Sequence, residues 1–254
     1  MSDTQLHTAE NGVRIAFRQT AGQGPMLVFL PGYMSDMAGG KATALFDWAR
    51  AQGRAALLLD YSGCGESDGD FADGTLSGWR DEVLELIHHY GGKHKALLIG
   101  SSMGGWLNLM VGEKLGARLA GLVGIASAPD FTEWGRSEAD KAKLAAGETV
   151  YDPNPYGPEP TPMHASFWAD GQANRLLDRT IEIDAPVRLL HGQGDADVPW
   201  EISLRLAAAL RSDNVQTLFI KDGDHRLSRD ADIAQLIKTC AQLCAEIETA
   251  LLKD

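Results

Sequence analysis

Hydrophobic residues fall along this chain in two alternating rhythms. Short, nearly unbroken apolar runs stand at 26–30, 54–59, 96–100, 121–126, 187–191 and 216–220, each followed by turn residues. Continuous runs of this length predict strands buried on both faces, the mark of a parallel sheet. Between them, apolar residues recur at helical spacing. Leu76, Trp79, Val83, Leu86, Ile87 and Tyr90 form one such face, and Ile233, Leu236, Ile237, Cys240, Leu243, Cys244, Ile247 and Leu251 another. The alternation predicts βαβ units: an α/β fold with a mostly parallel central sheet flanked by helices. Residues 12–20 are expected to add an antiparallel hairpin strand ahead of the parallel core.

The rhythm breaks between residues 130 and 184. This stretch carries Trp134, Tyr151, Pro153, Pro155, Pro158, Pro160, Pro162 and Trp168, and no clear strand. Proline at this density disfavours regular helix or sheet where it stands. A long insertion between two core strands is usually functional. The expected organisation is a core of residues 1–129 and 185–254, with 130–184 as a cap over the site, helical around 138–146.

Composition narrows the function classes. The chain has 254 residues, 44% of them hydrophobic, enough for one large core. Its formal net charge of −12 opposes phosphate backbones and anionic lipid surfaces, so no nucleic-acid partner is expected. No apolar run is long enough to span a bilayer. The first ten residues show no secretory or transit pattern, and the expected location is cytoplasmic. Cys64, Cys240 and Cys244 are too few for a disulfide framework and suit a reducing compartment. No metal-ligand spacing stands out, and no cofactor is expected.

The chemistry is carried by Gly100-Ser101-Ser102-Met103-Gly104, a G-x-S-x-G pentapeptide. An apolar strand precedes it and an apolar helix follows. That context makes it a nucleophile elbow, with Ser102 projecting at the carboxyl edge of the sheet. Ser101 is out of register with the elbow glycines. A serine hydroxyl needs a base and an orienting acid, and in this order of motifs both lie downstream. Asp195 stands in the loop after the 187–191 run, with Asp197 as its competitor for a structural or catalytic role. His225 follows the last core strand and precedes the terminal helix. His7, His88, His89, His94 and His164 are worse placed, and His191 reads as a packed ring bracing the Asp195 loop. An oxyanion hole requires two backbone donors. Met103 N–H and Tyr33 N–H are the candidates, with Gly32 allowing close approach. Trp106, Trp134, Trp168 and Trp200 are candidates to line an apolar acyl pocket, with core packing the equal alternative. The glycine-rich stretch from Asp60 to Gly69 lacks the Lys-Ser/Thr end of a phosphate loop and reads as a structural crossover.

Together the elbow and the two downstream loops resemble the α/β-hydrolase superfamily over nearly the whole chain. Its acid loop is similar to H-G-x-x-D-x-x-V-P, a register that falls here on His191, Gly192, Asp195, Val198 and Pro199. Longer segments look like the palmitoyl-protein thioesterase branch, also described as acyl-glucuronide esterases: PGYMSDMAGGKA, DYSGCGESDG, GSSMGGWL, LLHGQGDADVPW and GDHRLS. The resemblance implies a Ser102–His225–Asp195 triad acting on a small-molecule or acylated-protein ester or thioester. The missing presequence makes the chain look like a bacterial relative. The alternatives are a general carboxylesterase or carbon–carbon bond hydrolase with the same residues, or a non-catalytic ligand-binding module.

Overall fold

Each predicted run forms a strand in the computed structural model, which describes residues 4–154 and 157–251. In chain order the strands are β1 (Gln5–Thr8), β2 (Arg14–Thr20), β3 (Gln23–Leu30), β4 (Arg54–Leu59), β5 (Ala96–Ser101), β6 (Leu119–Ile125), β7 (Val150–Asp152), β8 (Thr161–Met163), β9 (Val187–Gly192) and β10 (Val215–Ile220). Eight of them make one sheet in the order β1-β2-β4-β3-β5-β6-β9-β10. From β4 to β10 every pairing is parallel, while β1–β2 and β2–β4 are antiparallel. Parallel neighbours need crossover helices, and these cover both faces of the sheet.

The helices are α1 (Gly40–Ala51), α2 (Leu76–Tyr90), α3 (Met103–Leu115), α4 (Phe131–Trp134), α5 (Glu138–Ala145), α6 (Ala165–Ala173), α7 (Glu201–Ala209) and α8 (Asp230–Leu251). α1 and α8 pack on one face, where Leu45, Phe46, Leu236, Cys240, Leu243 and Cys244 join a core with Leu27, Phe29, Leu97 and Ile99. α2, α3 and α7 pack on the other with Val28, Leu30, Leu57 and Leu98. α3 is buried all round from Met103 to Gly112, as expected of a helix sandwiched between sheet and further layers. Thr75 caps α2 by accepting from Gly78 N–H at 3.1 Å.

Three expectations change. The hairpin strand at 14–20 has a partner, β1, whose residues are mostly exposed and leave no hydrophobic pattern to read. β10 is the far edge strand, and its burial alternates rather than running continuous. The 130–184 insertion does contain strands: β7 and β8 pair antiparallel, with Pro162 opposite Tyr151. A two-stranded ribbon has only edges, where a missing N–H is tolerated. Pro155 and the side chain of Leu251 lie outside the described residues.

The insertion is anchored at its base. Asp130, 3% exposed, takes Leu176 N–H on one carboxylate oxygen and Leu177 N–H on the other, both at 2.8 Å. The crossover 60–69 is likewise built around one carboxylate. Asp60 accepts from Met37 N–H at 2.7 Å and from Glu66 N–H at 2.8 Å. It thereby ties the segment after β3 to the segment after β4, beside the carboxyl edge of the sheet.

Candidate active site

β5 ends where α3 begins, and the turn leaves Ser102 at φ 56°, ψ −118°, a conformation a residue with a side chain rarely holds. The neighbouring glycines make the turn possible. A Cβ on Gly100 would lie 2.1 Å from Gly104 O, and one on Gly104 would lie 2.1 Å from Leu30 O. The strained residue is held from both sides: Ser102 N–H donates to Ile125 O at 2.9 Å, and Ser102 O accepts from Gly105 N–H and Ala128 N–H. At Gly32 an added Cβ would stand 3.3 Å from Ser101 O, tight but not prohibitive.

Loops after three different strands bring Ser102, Asp195 and His225 together. His225 Nδ1 lies 2.9 Å from Asp195 Oδ2, and its Nε2 lies 3.1 Å from Ser102 Oγ. A carboxylate can only accept, so Nδ1 carries the hydrogen and Nε2 is left to accept from the serine hydroxyl. The Asp195 side chain is fully buried, and that of His225 is 16% exposed.

Asp195 is surrounded by donors. Its Oδ1 accepts from Asp197 N–H at 2.9 Å and Val198 N–H at 2.8 Å. Its Oδ2 is shared by His225 and by His191 Nε2 at 3.1 Å. Burial alone would raise this carboxyl's pKa; the hydrogen bonds from His191, His225 and Val198 outweigh it and hold the pKa far below the usual carboxylate range. Asp197, the sequence competitor, is exposed and meets Asp195 through its backbone.

His191 braces the loop as the sequence suggested. Its Nε2 faces two acceptors, Asp195 Oδ2 and Val198 O, so that nitrogen is protonated. Nδ1 then accepts from Ser203 Oγ at 2.7 Å. Ser203, 1% exposed on α7, belongs to no motif, and sequence reasoning passed over it. Lys41 was missed for the same reason. From the first turn of α1 its Nζ donates to Arg226 O and to Ser228 Oγ, the latter at 3.3 Å, bracing the segment just after His225. Burial lowers its pKa to about 8, with Arg226 pushing the same way.

A cleft of about 580 Å³ opens over these residues, lined among others by Tyr33, Lys41, Ser102, Asp197, His225 and Arg226. Asp152, Pro153, Asn154 and Thr161 bring the insertion to its wall. Tyr33 joins the two parts: it follows β3, and its hydroxyl donates to Pro162 O at 2.9 Å. Its ring lies 4.9 Å from Phe71, 4.8 Å from Phe167 and 5.9 Å from Phe131, measured between centroids. Burial pushes the Tyr33 phenol well above its ordinary pKa. Arg136 grips Asp152 with two bonds, at 2.8 and 2.6 Å, on the same side of the insertion.

None of the four candidate tryptophans is among the described residues lining the cleft. Trp106 is fully buried and donates to Asn174 O at 3.2 Å. Trp134 donates to Pro129 O at 2.7 Å, and Trp168 to Thr132 O at 3.0 Å. Trp200 stands edge-on to Phe219. A buried indole N–H must find an acceptor, and in three of these four cases the backbone of the fold supplies it. Trp106, Trp134 and Trp168 are thus tied to the backbone of the fold, and Trp200 packs on Phe219.

Asp195, Asp197 and His225 offer three ligand atoms within 4.8 Å of one another. Both oxygens of Asp195 already accept two N–H groups each, and His225 Nδ1 points its hydrogen at one of them. The donor set is spent on hydrogen bonds and does not fit a cation.

The thiols are equally enclosed. Cys64, Cys240 and Cys244 are unpaired and buried, and burial raises the Cys64 thiol to about 12 and that of Cys244 to about 11. Thiolates are the reactive form. The native protein is expected to show no fast-reacting thiol with Ellman's reagent at pH 8, and all three after unfolding in guanidinium. A stoichiometric burst before unfolding would contradict this burial.

Known proteins share this architecture. A family model described as the alpha/beta hydrolase family matches residues 27–245. The human mitochondrial palmitoyl-protein thioesterase ABHD10 is 34% identical over 239 residues, spanning 92% of this chain and 78% of that protein. The mouse α/β-hydrolase domain-containing protein 10 superposes with a TM-score of 0.90 at 32% identity, covering 97% of this chain and all of that one. A protein of Agrobacterium vitis S4 described as a hydrolase superposes with a TM-score of 0.89 at 37% identity over 96% of this chain and 99% of its own. Fold, elbow and overall likeness agree, and this chain belongs to the α/β-hydrolase family.

Proposed function

We propose that this hydrolase cleaves acyl esters or thioesters through a covalent acyl-enzyme on Ser102. The observation that carries the reading is the bridging position of His225, 2.9 Å from Asp195 Oδ2 and 3.1 Å from Ser102 Oγ. Both distances lie within hydrogen-bond reach of a proton transfer. Ser102 Oγ attacks the carbonyl carbon as His225 Nε2 takes its proton. The tetrahedral oxyanion is held by Met103 N–H at the start of α3, where the helix N-terminus favours negative charge, and by Tyr33 N–H. His225 then gives its proton to the leaving alkoxide or thiolate, the thiolate being the easier to expel, and becomes a free base again. Water, deprotonated by His225, attacks the acyl-enzyme and restores Ser102. Asp195 stays ionised throughout and fixes the imidazole tautomer.

The relatives' name raises acylated proteins as substrates, and the acyl-glucuronide ester is the second candidate of the same chemistry. A general carboxylesterase would use the same residues. Residues 130–184 act in this reading as a cap: Tyr33 ties them to the core through Pro162 O, and Asp152, Pro153, Asn154 and Thr161 bring them to the wall of the cleft. The unpaired cysteines suit a reducing, cytoplasmic setting. Among the described residues no helix is long and apolar enough to cross a membrane. The test is labelling with a fluorophosphonate probe followed by peptide mapping. Modification confined to Ser102, with matching loss of p-nitrophenyl acetate hydrolysis, is the expected result. An unlabelled Ser102 in folded protein would leave the binding-module alternative standing.

A further inference from the structure

The direction open to an acyl chain follows from the other two substituents of the reacting carbon. On the acyl-transfer reading above, the carbonyl oxygen points at the Tyr33 and Met103 N–H groups, and the leaving atom at His225 Nε2. The acyl chain takes the remaining direction, along the wall that Tyr33 and the insertion provide. A long-chain hydrolase needs an apolar tunnel there. In this protein that volume is filled. Behind Tyr33 stand Phe71, Phe131 and Phe167, and the ring array runs on without a break: Phe167 lies 5.6 Å from Trp79, and Phe131 lies 5.8 Å from Trp106. Phe167 is 1% exposed and Trp106 fully buried, and Tyr33, Phe71 and Phe131 pack partly buried against that core. Tyr33 is pinned from its far end by Pro162 O. The rest of the cleft is mixed: Met34 and Pro153 stand there beside Asp36, Lys41, Asp197 and Arg226, so a long chain laid along it meets charged groups as well as apolar surface.

We infer that Tyr33, backed by Phe71, Phe131 and Phe167, closes the acyl pocket, so that the enzyme selects short acyl groups, of the acetyl to butyryl class, over long apolar chains. The aromatic array thus determines specificity, for acyl groups shorter than the palmitoyl group in its relatives' name. The relevant quantity is the dependence of kcat/KM on chain length. An apolar tunnel would raise it by up to about fourfold for each methylene withdrawn from water.

The experiment compares p-nitrophenyl acetate, butyrate, octanoate and laurate, each below its micelle concentration, on the full chain. The expected optimum is acetate or butyrate, with laurate lower by about tenfold or more, the reverse of the tunnel dependence. A kcat/KM that climbs from butyrate through laurate would overturn the inference. Phe167→Ala and the half-buried Phe131→Ala should open space behind Tyr33 and raise the octanoate-to-acetate ratio several-fold. If Phe167→Ala fails to fold, Phe131→Ala and the wild-type series still decide the matter. Folded variants with an unchanged ratio would count against the array. Loss of turnover on every ester together with an unlabelled Ser102 would instead remove the acyl-transfer reading itself, a result distinct from active enzyme with a long-chain preference.

Discussion

Ser102→Ala is expected to lower kcat for ester hydrolysis by a factor on the order of 10⁴ or more, while the protein folds normally. The size follows from what remains. Without Oγ there is no atom to form the acyl-enzyme, and His225 can only activate water held in a geometry built for a serine. Oxyanion donors and binding alone leave a residual rate of about 10³- to 10⁴-fold over water. Folding is spared because alanine meets the same backbone demand: φ 56° at position 102 is strained for either side chain, and the bonds to Ile125, Gly105 and Ala128 are made by the backbone. Steady-state kinetics with p-nitrophenyl butyrate and a urea midpoint check the two halves. An alanine variant retaining near-normal turnover would remove Ser102 from the mechanism.

Asp195→Asn comes next in expected effect, a loss of about 10³- to 10⁴-fold in kcat, the scale seen when a triad acid becomes an amide. The cause is countable. Four N–H groups converge on the two Asp195 oxygens. An asparagine offers one oxygen and one NH₂, so either orientation sets two hydrogens against a pair of donors. If the NH₂ turns toward His225, the imidazole moves its proton to Nε2 and can no longer take one from Ser102. If it turns the other way, Asp197 N–H and Val198 N–H lose their acceptor, and the loop itself is loosened. Stability carries a second signature. Because the folded carboxyl titrates far below its unfolded value near 3.9, its contribution is present above that pH and is lost as the pH falls toward the folded pKa. The wild type should therefore lose stability on acidification below about pH 4 more steeply than Asp195→Asn. Urea midpoints between pH 2 and 6 measure the slopes, and a variant within tenfold of wild-type activity would sink the assignment.

The parallel core was legible because its inner strands are buried on both faces and carry unbroken apolar runs, as at Leu97, Leu98 and Ile99. What escaped were elements that bury little. β1 is a polar strand that pairs through its backbone, and β7–β8 is a ribbon able to include Pro162. The positions of Ser102, Asp195 and His225 at one sheet edge could be anticipated because each follows a strand directly, and the chain itself fixes where such residues stand. Ser203 and Lys41 could not, since they reach their partners from helices through long-range packing that leaves no local pattern. The tryptophans illustrate the limit most plainly. An indole looks the same in a sequence whether it faces a substrate or a carbonyl of its own fold, and only the positions of Asn174 O, Pro129 O and Thr132 O separate the two.

Asp130 holds both ends of the excursion that leaves β6, because the chain that departs there is met again at Leu176 and Leu177 by the same carboxylate. The intervening residues therefore form a closed loop whose exit and return share one fixed point. Between those two points Met163 and Phe167 are buried in the main core, so the excursion is seated on the sheet's helices as well as tethered at its neck. One buried acid thus sets where Phe131 and Phe167 can stand behind Tyr33, although its carboxylate bonds to backbone N–H groups and to none of the three rings.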